Sequence, residues 1–183
     1  MTFDPDKARR TLEAAERVAS AAEVSAAVAR LAREISGALE KSFPLVLCVM
    51  RGAVVFAGQL LPLLRFPLEF DYLDLTRYGE ATRGGDIEWR VIPAAPVVDR
   101  TVLVLDDILD EGDTLVAIRE KLLTLGARRV CIAVLTEKDT GRPKQARADF
   151  VGLRLPDRYV FGCGMDVGGA WRNLPDIYAV KEP

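Results

Sequence analysis

Residues 102–115 read Val102-Leu-Val-Leu-Asp-Asp-Ile-Leu-Asp-Glu-Gly-Asp-Thr-Leu115. Val102 to Leu105 is an unbroken apolar run, as a strand covered on both faces requires. Asp106 and Asp107 close that run. A short turn with Asp110, Gly112 and Thr114 follows, and Leu115, Ile118, Leu122 and Leu125 then recur at helical spacing. Strand, acidic tip, glycine-containing turn and helix start together outline a phosphate site. Backbone N–H groups at a helix N-terminus point toward an anion, and the helix dipole adds to the attraction. The plainer reading is an ordinary strand-to-helix connection with a polar loop. The acidic pair and the turn occurring together favour the site.

The same alternation continues on both sides. Asp4 and Pro5 are start signals for a short helix, and residues 16–19 fit either a small strand or irregular chain. Ser20 with Glu23 reads as a capping box. Val24, Val28, Leu31, Ile35 and Leu39 share one face, which predicts a helix over Ala21–Glu40. Leu45–Met50 is a fully apolar strand. Arg51-Gly52 follows, then a helix over Ala53–Leu64 that Pro62 is placed to kink or end. Leu68–Leu75 predicts the next strand. Thr76–Asp86, with Gly79, Gly84 and Gly85, reads as a long loop. It is either a binding lid or an inert hairpin excursion. Ile87–Ile92 is the return strand. After Gly126, Val130–Leu135 predicts another buried strand, Glu137–Ala148 is polar, and Phe150–Leu153, Tyr159–Gly162 and Ile177–Val180 are short strand-like pieces. Strand–helix units followed by short strands indicate a parallel α/β sheet with a small extra subdomain.

Composition narrows the chemistry. The 183 residues suit one domain, and half of them are hydrophobic, enough for a sizeable core. The net charge of −2 argues against a nucleic-acid binder that relies on bulk positive charge. No apolar run reaches the roughly 18 residues of a membrane span. The first residues show no basic region followed by an apolar core, so no secretory signal is expected and a cytoplasmic location is the default. Cys48, Cys131 and Cys163 are far apart and lack metal-ligand spacing. The chain has no histidine, so Ser-His, Cys-His and His-metal schemes are out. Acid–base work falls to Asp, Glu, Lys, Tyr or Cys.

In open parallel sheets the ligand lies at the carboxyl ends of the strands. Four candidate tips are polar there: Met50-Arg51-Gly52, Leu75-Thr76-Arg77-Tyr78, Asp106-Asp107 and Thr136-Glu137-Lys138. Gly52 allows backbone to approach a ligand closely. Asp106 and Asp107 at a strand end can reach sugar hydroxyls or a hydrated Mg²⁺, which proteins usually hold with carboxylates and substrate phosphates.

These motifs carry a resemblance. Residues 102–115 resemble the phosphoribosyl-pyrophosphate signature of type I phosphoribosyltransferases. MRG at 50–52, TRYG at 76–79, Lys138 ahead of DFVG at 149–152, and PDRYVFGCGMD at 156–166 followed by Arg172 are similar to the hypoxanthine-guanine phosphoribosyltransferases. The likeness spans roughly residues 16–180. It implies one phosphoribosyltransferase domain over residues 1–183. Its parallel-sheet α/β core is flanked by helices, with a small hood from about residues 1–20 and 154–183 and a flexible lid loop. It also implies Mg²⁺-dependent transfer of ribose 5-phosphate from phosphoribosyl pyrophosphate to N9 of a 6-oxopurine, releasing pyrophosphate. The expected partners are those two substrates and further copies of the chain, as a homodimer or homotetramer. Neither nucleic acid nor membrane is expected as a partner.

By the same resemblance, Asp106 and Asp107 hold the ribose hydroxyls, directly or through metal. The turn Asp110, Glu111, Gly112, Asp113 and Thr114 cradles the 5-phosphate, and Asp110 is the proton partner at purine N7. Lys138 bonds the 6-oxo group, Tyr159 stacks on the base, and the Val160 backbone reads its edge. Asp166 takes a second Mg²⁺ or its water. Arg51, Gly52 and Arg172 take pyrophosphate, and the Arg51-Gly52 loop matches one whose peptide is often cis. Arg77 and Tyr78 sit on the lid. Plainer readings exist: a solvated Lys138, a half-buried strand Tyr159, an Asp166–Arg172 surface pair, a helix-start Arg51 and a Cys163 that only packs. Glu111 and Asp113 depart from the family pattern. Two acids beside a phosphate are tolerable if they face solvent and the backbone with Thr114 does the binding. The alternatives in function are a xanthine or pyrimidine phosphoribosyltransferase, and a nucleotide-sensing regulator with the same fold.

Overall fold

The computed structural model describes residues 4–77 and 87–181. In chain order the elements are α1 (Pro5–Ala14), β1 (Glu16–Ala19), α2 (Ala21–Leu39), β2 (Leu45–Met50), α3 (Val54–Leu60), β3 (Glu69–Arg77), β4 (Ile87–Val91), β5 (Thr101–Leu109), α4 (Asp113–Thr124), β6 (Arg129–Asp139), β7 (Phe150–Pro156), β8 (Val160–Phe161) and β9 (Ile177–Ala179). The large sheet has the order β4-β3-β2-β5-β6-β7. Its strands run parallel except β4, which returns antiparallel on β3. A second sheet, β1-β9-β8, joins the two ends of the chain.

The elements form for local reasons the sequence shows. Ser20 and Glu23 complete a reciprocal capping box at the start of α2. The α2 side chains Val24, Val28, Leu31, Ile35 and Leu39 are all buried. α2 packs on β7 and α3, and α4 packs on β6. The central strands β2, β5 and β6 are buried mainly through apolar residues, because both faces are covered; Thr101 and Asp106 on β5 and Thr136 on β6 are the buried polar exceptions.

Several boundaries differ from the expected ones. α3 covers only Val54–Leu60, and a 3₁₀ turn at Leu61–Leu63 follows. Pro62 sits in the first positions of that turn, where its missing N–H costs nothing. β3 continues through Thr76 and Arg77, which pair with Glu88 and Ile87 of β4. The expected loop therefore begins later, and Tyr78 to Asp86 lie outside the described residues. β5 runs four residues past Leu105, since Leu109 still pairs with Glu137 of β6. Asp106 and Asp107 are thus strand residues, not a tip beyond it. β6 likewise extends to Asp139 because β7 pairs with it up to Asp139↔Pro156. Lys138 therefore stands on a strand rather than in a loop. Residues 154–156 complete β7 of the large sheet. Among the described residues no helix is long and apolar enough to cross a membrane.

The strand order puts β2 between β3 and β5. The chain leaves β2 toward β3 and later crosses back to place β5 on the other side. A crevice at the carboxyl ends of β2 and β5 follows from that reversal.

Candidate active site

The crevice is an open cleft of about 460 Å³. It is lined by Met50, Arg51 and Gly52 from the end of β2, by Asp106 and Asp107 on β5, by the turn residues Asp110 to Thr114, and by Arg172. A smaller pocket of about 210 Å³ adjoins it, lined by Lys138, Tyr159, Val160 and Asp166. Asp107, Ile108, Asp110 and Arg172 line both. Fifteen of the sixteen residues expected at the site are therefore within the described chain, and fourteen of them border one of two connected hollows. Arg77 ends β3.

Asp106 is buried and Asp107 nearly so. Burial pushes the Asp106 carboxyl well above its ordinary value, and the neighbouring Asp107 charge pushes it further. Burial raises Asp107 as well, opposed by hydrogen bonding from Asp106 and by the Arg172 guanidinium. Two adjacent carboxylates with so little water are costly when both are ionised. The Asp107 N–H donates to Asp106 Oδ1 at 3.0 Å, and the buried Thr136 hydroxyl donates to the Asp107 carbonyl at 2.9 Å. These bonds tie the Asp107 main chain to Asp106 and to β6. Burial also pushes the Cys48 thiol up to about 12, helped by the two acids, so that thiol stays protonated.

Gly52 meets this pair at close range. A Cβ added there would lie 1.9 Å from Asp107 Oδ2. On its other side, a Cβ on Gly164 would lie 1.9 Å from the Gly52 carbonyl oxygen. The sequence marks Gly52 for close approach. Gly164 and Thr136 carry no signal that separates them from other residues of their type. The cis peptide is Met50–Arg51, one bond before Arg51–Gly52.

Gly112 turns the chain into α4 with φ 97°, and no side chain caps that helix. A Cβ at Gly112 would meet the Ala146 nitrogen at 2.7 Å, so glycine is required by both conformation and space. The first-turn amides of α4 and Thr114 face the cleft end of the sheet, a suitable anion cradle. In the adjoining pocket the Lys138 ammonium donates to Asp110 Oδ2 at 2.6 Å. A cationic donor and an anionic acceptor thus stand side by side. Tyr159 is 58 % exposed, so its ring is open to a planar partner. Its hydroxyl donates to the Asp166 carbonyl at 3.3 Å. Asp166 pairs with Arg172 and also accepts the Gly169 N–H at 2.7 Å. Arg172 donates further to the Gly164 carbonyl at 2.7 Å.

The phosphoribosyl transferase domain model matches residues 15–167. The chain belongs to the phosphoribosyltransferase family. It is 33% identical over 160 residues to the hypoxanthine-guanine phosphoribosyltransferase of Bacillus subtilis, covering 87% of this chain and 89% of that one. A crystal structure of a hypoxanthine-guanine phosphoribosyltransferase from Bacillus anthracis superposes with a TM-score of 0.85 at 26% identity, over 91% of this chain and 98% of that one. A Staphylococcus aureus hypoxanthine phosphoribosyltransferase shares the fold at a TM-score of 0.85 and 23% identity, over 91% of both chains.

The turn carries two further acids, and they differ in exposure. Glu111 is exposed, as expected. Asp113, at the first position of α4, is only half-buried, and both acids border the cleft, so Asp113 does not simply face solvent. Cys163 is fully buried, in keeping with packing.

Proposed function

We propose that this phosphoribosyltransferase transfers the 5-phosphoribosyl group of phosphoribosyl pyrophosphate to N9 of hypoxanthine or guanine, giving IMP or GMP and pyrophosphate. The observation that carries the reading is the wall shared by the two hollows. The large one offers a helix start for a phosphate and a carboxylate pair for ribose. The small one offers a donor–acceptor pair, Lys138 and Asp110, beside an open aromatic ring. A 6-oxopurine presents an acceptor at O6 and an exchangeable proton at N7, matching that pair. Adenine's amino group would set a donor against the Lys138 ammonium, and an unpaired buried polar group discriminates strongly.

In this reading the C1′–O bond of the substrate breaks with its electron pair leaving on pyrophosphate. N9 of the base bonds C1′ while Asp110 takes the proton from N7. Amides of Asp110–Thr114 and the Thr114 hydroxyl hold the 5-phosphate. Arg51, Gly52 and Arg172 flank the pyrophosphate, and Tyr159 with the Val160 backbone holds the base. Positive charge grows on the ribose, and the fixed carboxylates Asp106 and Asp107 lie where they oppose it. The donor set also suits Mg²⁺. A buried acid pair is costly when both members are ionised, and a cation between them offsets that cost. A hard cation that completes its shell with substrate oxygens and water fits such a pair, and Asp166 would take a second Mg²⁺ or its water. When bound, Mg²⁺ would neutralise charge on the leaving pyrophosphate.

A steady-state panel of hypoxanthine, guanine, xanthine, adenine and uracil tests the reading. Hypoxanthine or guanine should dominate, with turnover lost in EDTA and restored by Mg²⁺. Dominant uracil or xanthine turnover would overturn the base assignment. Asp110→Asn should lower kcat at least tenfold on the preferred base; full turnover would remove its assigned role. Size-exclusion chromatography with light scattering should find a homodimer or homotetramer.

The acidic turn gives a separate expectation. Glu111→Thr should leave the KM for phosphoribosyl pyrophosphate within about twofold, since the side chain is exposed. Asp113→Asn should lower that KM by about two- to threefold. It would also cost α4 about 0.3–1 kcal/mol of favourable dipole interaction. Equal effects from both substitutions would show that their different burial is irrelevant to the substrate.

A further inference from the structure

Lys144 lies in the polar connection between β6 and β7. Its ammonium donates to the Leu109 carbonyl at 2.9 Å and to the Lys138 carbonyl at 2.5 Å. The β5–β6 ladder ends at the pair Leu109↔Glu137. The ammonium therefore bridges the two strands where main-chain pairing stops. The residues beside these carbonyls are the ones whose side chains meet in the small pocket: Asp110 follows Leu109, and Lys138 supplies its own carbonyl.

The neighbours of Lys144 grip the same turn. The Gln145 N–H donates to the Glu111 carbonyl at 2.9 Å. The Ala146 nitrogen stands 2.7 Å from where a Cβ on Gly112 would lie. Residues 144–146 thus run along residues 109–112, holding the main chain on both sides of Asp110. Lysine is suited to the first contact. One ammonium can serve two carbonyls on different strands, and charge-assisted bonds of this kind are stronger than neutral ones.

We propose that Lys144 is a positioning residue for base recognition. It holds the ends of β5 and β6 at the separation that lets Lys138 and Asp110 address one edge of the same base. The proposal rests on the 6-oxopurine reading above, and its test separates the two. Lys144→Met keeps the length and apolar stem but removes the donors, whereas Lys144→Arg keeps a charged donor. Steady-state constants for hypoxanthine, guanine and phosphoribosyl pyrophosphate are measured for both variants, with amide hydrogen exchange of residues 109–111 and 137–139.

For Lys144→Met the KM of the base should rise about tenfold, as for a reacting edge misplaced by a fraction of an ångström. The KM of phosphoribosyl pyrophosphate should stay within twofold, exchange at both strand ends should quicken, and Lys144→Arg should restore part of the base affinity. Unchanged base KM with unchanged exchange overturns the proposal. So does a parallel rise of both KM values with a lowered melting temperature, which marks general loosening. If the wild type turns over neither oxopurine, the function reading fails by itself. The exchange comparison then still decides whether Lys144 holds the Lys138–Asp110 pair.

Discussion

Asp106→Asn is expected to yield a protein more stable than the wild type and nearly inactive. Without divalent metal, the unfolding free energy at pH 7–8 should rise by about 1–3 kcal/mol. That is roughly 2–4 °C in melting temperature for each kcal/mol at this chain length. The value of kcat/KM should fall about 100- to 1,000-fold. The stability gain follows from the site itself. Asp106 is buried, and its carboxyl sits well above the ordinary range because of burial first and the Asp107 charge second. Asn occupies the same volume without the charge, and its Oδ1 can still accept the Asp107 N–H. Sites that need unfavourable charge to work commonly trade stability for function in this way.

The pH dependence supplies a check that needs no substrate. A carboxyl whose folded value lies above its ordinary 3.8 favours the fold while protonated. Its contribution is fully present below about pH 3.8 and is lost as pH rises through the raised folded value. Asp4, Glu23 and Asp71 are shifted the other way, so their contributions are complete above pH 3.8–4.5 and are lost only as pH falls. The raised thiols begin to matter only above about pH 9. Between pH 5 and 8 the acid pair is therefore the main source of slope. Urea midpoints of the wild type should decline across that window, and those of Asp106→Asn should decline less. A variant whose profile parallels the wild type's would show that the buried charge is not what limits stability.

Much of this fold was legible because its signals are local. The capping box at Ser20 and Glu23 announces α2, and the six apolar residues of β2 begin and end where the structure has them. What escaped depends on partners far away in sequence. Beyond Leu105 the chain reads Asp-Asp-Ile-Leu, which has no strand periodicity, yet β6 pairs with it to Leu109. Thr136-Glu137-Lys138-Asp139 is polar enough to read as loop, but it lies between β5 and β7 and keeps its strand pairing. Flanking strands override propensity at both places.

The site divides in the same way. The turn at Asp110–Thr114 and the close approach at Gly52 follow from residue type, since glycine at such a place has few other uses. The resemblance assembled the rest, and the fold brings fourteen of those residues to two adjoining hollows. The contacts between them were not legible. Lys138 meets Asp110 from 28 residues away, and Lys144 reaches the Leu109 carbonyl from 35. Lys144 bonds carbonyls, and every residue supplies one, so no residue pattern marks that contact. The acidity of the turn was visible, but the different burial of Glu111 and Asp113 depends on where α4 begins.

Gly52→Ala is expected to cost about 1–3 kcal/mol of stability and about 100-fold in kcat/KM from the addition of a single methyl group. The added carbon would lie 1.9 Å from Asp107 Oδ2, far inside contact distance. Relief is open in one direction only. The Asp107 main chain is held, since its carbonyl accepts the Thr136 hydroxyl at 2.9 Å, so only its short side chain can rotate away. The loop cannot lift away, because the Gly52 carbonyl already packs against Gly164, where even a Cβ would not fit. The strain must therefore move Asp107, and with it the carboxylate pair at the floor of the cleft. Gly37→Ala is the matched control, since a Cβ there meets nothing within 4 Å. Its place within α2 makes alanine slightly favourable, by about 0.5–1 kcal/mol. The two substitutions should differ in sign for stability by urea titration, and only Gly52→Ala should impair turnover. If Gly52→Ala retained wild-type kcat/KM, the loop after β2 would have room that the close approach to Asp107 denies it, and the carboxylate pair would not be fixed from that side.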